Sequence, residues 1–205
     1  MTYEQLSLFT DEELGIKPNY DLIGLTGYAG SGKDTFAKVL VEKYGYTRIA
    51  FADPIRELLY KMNPIINGLP YGGTRSLSEL VDSVGWDEAK KEPEVRRLLQ
   101  DLGVGAREVI DSELWVSTAF KKTGEPGKRY VITDVRFINE ADLVKQLGGQ
   151  VWRVKRVDVN AVNGHISENE MDGYKVDQIF LNNGTIDELE ALIKTRMQDV
   201  NAITE

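Results

Sequence analysis

The sequence has no cysteine in its 205 residues. Disulfides, thiolate nucleophiles and cysteine metal sites are therefore excluded. It has a single histidine, which argues against a multi-histidine metal centre. No apolar run approaches the ~20 residues of a membrane span, and the N-terminus shows no secretory signal pattern. These absences lead to the expectation of a cytoplasmic protein. Basic charge is also short: 25 Lys and Arg face 33 Asp and Glu, for a net charge of −8. A protein that wraps a nucleic-acid polymer normally carries a basic domain, so no direct nucleic-acid partner is expected. A small anionic ligand held by a few placed cations fits better. Apolar residues are not lacking. With 41% hydrophobic and 28% charged residues, the composition suits a globular chain. A chain this long buries roughly 70% of its unfolded surface.

What the sequence does contain is concentrated between Leu22 and Phe36. An apolar strand, Leu22–Thr26, runs into Gly27, Tyr28, Ala29, Gly30, Ser31, Gly32, Lys33, Asp34 and Thr35. Glycines let successive backbone N–H groups turn inward around an anion. A following helix presents its unpaired N–H groups and positive dipole end to that anion. Lys33 adds a point charge for the terminal phosphates. The usual motif places Ser or Thr directly after the lysine as a Mg²⁺ ligand, whereas here Asp34 stands there and Thr35 follows.

Residues 1–19 read as a tail ahead of a domain spanning 20–205. Within the tail, Gln5-Leu-Ser-Leu-Phe9 resembles the short motif by which replication proteins bind the bacterial sliding clamp. The alternative, in which Leu6, Leu8 and Phe9 pack on the protein's own surface, stays open. Strands are predicted at Asp21–Thr26, Tyr46–Phe51, Tyr130–Asp134, Val151–Val157 and Gln178–Leu181. Between them lie helical patterns. One runs from Asp34 to Lys43, and one follows Asp53-Pro54, which gives a cap and a first-turn proline. Asn63 to Arg75, with Gly68, Pro70, Gly72 and Gly73, reads as a loop. Ser76 to Glu79 and Thr185 to Glu188 are capping boxes. The helix from Pro93 is expected to stop at Gly103, leaving Arg107 beyond it, and Trp115 reads as core. Arg153 and Arg156 have opposite strand parity, so both reach one site only if the segment bends or a lid follows.

Alternation of strands and helices predicts a mainly parallel sheet with helices on both faces. Ligands of such sheets bind at the carboxyl edge. The Gly27–Lys33 loop, Asp53 with Arg56, and Asp134 with Arg136 all follow strands and should converge on one cleft. Phosphoryl transfer needs fixed cations where charge builds up, and Arg136, Arg153 and Arg156 are candidates beside Lys33. A carboxylate such as Asp134 at a strand end can hold Mg²⁺ or its waters.

The ordered set of Gly27–Thr35, Phe51-Ala-Asp-Pro-Ile-Arg56, Leu98-Leu-Gln-Asp-Leu-Gly103, Thr133-Asp-Val-Arg-Phe-Ile-Asn-Glu140 and His165-Ile-Ser-Glu168 resembles bacteriophage-type deoxynucleoside monophosphate kinases. The resemblance covers about residues 22–195. It implies the three-layer fold of the P-loop nucleoside monophosphate kinases, with a small lid. It also implies transfer of the ATP γ-phosphate to a deoxynucleoside monophosphate (dNMP), in the host cytoplasm if the chain is phage-encoded. Mg²⁺ would enter with ATP, held largely through water and phosphates near Thr35 and Asp134. By the same resemblance Gly27, Ala29–Thr35 would bind ATP. Asp53, Arg56 and Arg107 would border the acceptor, and Asp134, Arg136 and Glu140 would line the space between donor and acceptor. Arg153 and Arg156 would belong to the lid. For His165 the default is a structural hydrogen bond, and Glu168 has no derivable role. Oligomeric state stays open, a homodimer among the options. Rival readings are a phosphomevalonate or dephospho-CoA type of kinase, or a non-catalytic ATP-binding replication adaptor.

Overall fold

The computed structural model describes residues 20–69, 73–120, 127–158 and 170–204. Gln5–Phe9, His165 and Glu168 lie outside the described residues, as does most of the segment read as a lid. Among the described residues the strands are β1 (Leu22–Thr26), β2 (Tyr46–Ile49), β3 (Ile65–Leu69), β4 (Gly73–Ser76), β5 (Arg129–Ile132), β6 (Gln150–Lys155) and β7 (Gln178–Leu181). The helices are α1 (Lys33–Tyr44), α2 (Ala52–Met62), α3 (Leu77–Ala89), α4 (Pro93–Val109), α5 (Leu114–Phe120), α6 (Ile138–Gln146) and α7 (Ile186–Thr204). The single domain expected over 20–205 divides into two compact units. One is Ala50–Gly124, and the other takes the described residues on either side of it.

The first unit is built on a five-stranded sheet of order β2-β5-β1-β6-β7, with every pair parallel. Central strand β1 is buried throughout, as expected of a strand covered on both faces. Side chains alternate between the faces. Ile23 and Leu25 join Phe36, Leu40, Trp152, Phe180, Leu189 and Ile193 in one apolar cluster, which α1 and α7 close. On the opposite face Val144 of α6 sits over Gly24. Phe36, Trp152 and Phe180 form a ring triad with centroids 4.7–6.0 Å apart. Such pairs add about 0.5–1.5 kcal/mol each beyond their buried area. The Trp152 indole N–H is satisfied by Gln150 Oε1 at 3.0 Å. The Thr185–Glu188 capping box forms as the sequence predicts, with Thr185 N donating to Glu188 at 2.7 Å.

The second unit packs Leu59, Ile66, Leu77, Leu80, Val81, Ala89 and Val95 around its own centre. Here the structure departs from two sequence-based expectations. The stretch read as a loop over 63–75 holds an antiparallel pair, β3 and β4, in the register Ile65↔Ser76 and Ile66↔Arg75. Burial of Ile66 beside an exposed Ile65 is the only alternation this short strand offers, and the surrounding glycines masked it. Helix α4 also runs past Gly103 to Val109, so Arg107 lies in its last turn. Gly103 keeps a non-positive φ, and a Cβ there would lie 3.3 Å from Ile55 Cδ1. The position is small because α2 packs close, not because the helix ends. Trp115 is buried as expected, its indole donating to the Gly103 carbonyl at 2.8 Å.

Candidate active site

The chain leaves β1 at Thr26, winds through Gly27–Gly32 and enters α1 at Lys33. Gly27, Gly30 and Gly32 hold φ of 139°, 80° and 99°, values that L side chains rarely adopt. A Cβ at Gly27 would strike the Val154 carbonyl oxygen, and one at Gly32 the Asn182 side-chain amide. The loop is pinned by its own turn, Ser31 N to Tyr28 O at 3.1 Å, and by Asn182 Nδ2 donating to Ser31 O at 2.9 Å. Lys33 folds back over the loop, its Nζ donating to Gly27 O at 2.6 Å and Tyr28 O at 2.8 Å. Ser31 Oγ is buried without a hydrogen-bond partner among the described residues.

The loop forms one wall of a cavity of ≈ 290 Å³. Five cationic side chains line it, Lys33, Arg136, Arg153, Lys155 and Arg156, against one carboxylate, Asp172. This is the local reverse of a chain whose net charge is −8. Cations, inward N–H groups and a helix N-terminus together suit an anion. Strand β1 brings the loop and β6 brings the arginines, because Thr26 pairs in register with Arg153. Strand β6 ends at Lys155, so Arg153 and Arg156 reach the same cavity despite opposite parity.

The two arginines are engaged differently. The Arg153 guanidinium donates to the carbonyls of Met171, Asp172 and Tyr174, strapping residues 171–174 to β6. Arg156 and Arg136 are exposed at the cavity. The Arg136 backbone is fixed by Glu140, whose buried carboxylate accepts N–H bonds from Arg136 at 2.7 Å and Phe137 at 3.1 Å. Glu140 is thus drawn inward, holding the segment that presents Arg136. Asp134 sits between Thr133 and Val135, whose amides bond the carbonyls of Ile49 and Leu25. That places it at the carboxyl edge, half-buried. Asp34 lines a separate depression with Lys38, Glu42, Arg48 and Thr133. Thr35 is half-buried in the first turn of α1.

Asp53 and Arg56 belong to the second unit, where Arg56 Nη1 donates to Asp53 Oδ1 at 2.9 Å and Asp53 Oδ2 accepts Ala50 N at 3.2 Å. Arg107 lies in the same unit, on α4. Among the described residues no cluster of three His, Asp or Glu could hold a metal by itself. Any Mg²⁺ here is left to phosphate oxygens, water and single side chains such as Thr35 or Asp134. The cradle that a Cβ would fill and the unpartnered Ser31 hydroxyl suit a polyphosphate carrying such an ion.

Three site residues were missed from sequence. Tyr28, inside the loop, donates its hydroxyl to Asp172 at 2.7 Å and 2.8 Å. Asn182 carries no role in the sequence reading. Its signal was available, since it follows β7 directly, and the ends of the other strands had been used to find the site.

The all-parallel sheet, the glycine loop and its lysine define a phosphate-loop nucleotide-binding protein. A family model described as deoxynucleotide monophosphate kinase matches residues 71–193. A protein of Acanthamoeba polyphaga mimivirus whose name proposes a deoxynucleotide monophosphate kinase is 32% identical over 188 residues, covering 84% of this chain and 93% of its own. The deoxynucleotide monophosphate kinase of Escherichia phage RB69 is 28% identical over 105 residues, 49% of this chain and 43% of that protein. Among solved structures, a dephospho-CoA kinase from Campylobacter jejuni aligns at TM-score 0.43 and 16% identity, covering 90% of this chain and 99% of that one. The chain belongs to the deoxynucleotide monophosphate kinase family.

Proposed function

We propose that this protein transfers the γ-phosphate of ATP to a deoxynucleoside monophosphate, giving ADP and a deoxynucleoside diphosphate for DNA precursor synthesis. The observation that carries the reading is the five-cation cavity built on the Gly27–Lys33 loop, in a chain of this family. An oxygen of the acceptor phosphate attacks the γ-phosphorus as the bond to the bridging β–γ oxygen breaks, and ADP leaves. The attacking oxygen is already anionic, so no general base is required. Loop amides and Lys33 hold the donor phosphates. Arg136 and Arg156 face the charge that grows on the transferring group. Thr35 or Asp134 would hold Mg²⁺ entering with ATP, through water, and the ion would supply further neutralisation of the phosphate oxygens. For the acceptor we propose Arg136, whose backbone Glu140 fixes, with Asp134 beside it; Asp53, Arg56 and Arg107 stay candidates on the family resemblance.

Coupled ADP release with Mg-ATP over a panel of deoxy- and ribonucleoside monophosphates, plus phosphomevalonate and dephospho-CoA, tests the reading. Turnover is expected with one or more deoxynucleotides. Turnover confined to the last two substrates, or ATP binding with no transfer, would overturn it. No helix among the described residues is long and apolar enough to cross a membrane, and we place the reaction in the cytoplasm, that of the host for a viral chain. Clamp binding through Gln5–Phe9 rests on the pentapeptide alone. Equal recovery on immobilised clamp of the intact chain and of Gln5→Ala/Phe9→Ala would sink it.

A further inference from the structure

The two walls of the phosphate cavity come from segments far apart in the chain, and one dipeptide touches both. Asn182 is 7% exposed. Its backbone N–H donates to Lys155 O at 2.8 Å, at the end of β6 beside Arg156. Its side-chain amide donates to Ser31 O at 2.9 Å, in the loop. The next residue, Asn183, accepts Val157 N on Oδ1 at 3.0 Å, just beyond Arg156. The absence of a Cβ at Gly32 is what lets the Asn182 amide come so near. We infer that Asn182 and Asn183 are positioning residues, a clamp that sets the separation between the phosphate loop and the Arg156 segment. Neither needs to touch the nucleotide.

The chemistry of the contact makes it specific for an amide. The Ser31 carbonyl needs a donor. A carboxylate at 182 would present only acceptors to it, in a buried setting where an unmatched polar pair is costly. The inference deepens the kinase reading, but its principal measurement, ATP affinity by calorimetry on the full chain, does not depend on turnover. Asn182→Asp is expected to weaken ATP binding about tenfold or more. Asn182→Ala, which removes the donor without adding repulsion and keeps the fold more safely, should weaken it less. In steady-state assays the KM for ATP rises while the KM for the monophosphate stays put. Asn183→Ala, which frees the Val157 amide, should lower kcat more than it changes ATP affinity. Wild-type ATP affinity in both Asn182 variants would overturn the clamp. So would losses that follow only the melting temperature and vanish where the variants are fully folded. A wild-type chain that binds ATP and phosphorylates no monophosphate would sink the kinase reading and leave the clamp to be judged on affinity.

Discussion

In the first unit Gly27 and Gly32 carry left-handed backbone beside neighbours that leave no room for a Cβ. In the second unit Gly103 and Gly105 lie inside α4 without positive φ. A Cβ would meet a flexible methyl at Gly103 and nothing at all at Gly105. The same residue type is thus demanded in the phosphate loop, closely packed at Gly103 and merely tolerated at Gly105. Backbone conformation and the nearest atom make the difference, and glycine count alone says nothing about it.

The sharpest test of the contrast sets the loop against α4. Lys33→Ala and Arg136→Ala, which strip the cavity of cations, should each lose turnover on the order of 10³-fold while circular dichroism reports an intact fold. Near wild-type rates in either would remove that residue from the mechanism. Gly27→Ala comes next, because it forces a Cβ against backbone. It is expected to abolish ATP binding and to cost at least ~2 kcal/mol of stability, read by denaturant titration. Arg153→Lys tests the strap. Charge is kept, but a lysine cannot fork across three carbonyls, so stability should fall by about 1–2 kcal/mol. Unchanged stability with lost turnover would instead return Arg153 to the phosphates. The smallest effect belongs to Gly105→Ala, expected to raise stability by about 0.5–1 kcal/mol. A loss there would mean that α4 needs its glycine at this position, and the contrast between α4 and the phosphate loop would fail.

Legibility in the sequence followed the same division. The phosphate loop was readable because its chemistry is local: seven consecutive residues, Gly27 to Lys33, carry it. The strand ends at Ile132 and Lys155 were close to expectation because parallel strands are apolar and sharply bounded. What failed depended on packing between distant residues. Gly103 looked like a helix stop because Ile55 is invisible from its neighbours in sequence. The β3–β4 pair was hidden because, among its described side chains, only Ile66 is buried. The bonding of Arg153 was not legible because the carbonyls it donates to lie at 171–174, reached only by the fold. Asp34, which stands where the usual motif has Ser or Thr, lines a different depression with Lys38 and Arg48.

One feature of the clamp bears on synthesis. Asn182 follows Ser31 by 151 residues, and Leu189, Ile193 and Met197, which complete the cluster behind the loop, come later still. A ribosome therefore finishes the whole phosphate-binding motif well before the parts that hold it in place. Until Asn182 emerges, the Ser31 carbonyl lacks the amide donor that fixes it in the folded chain.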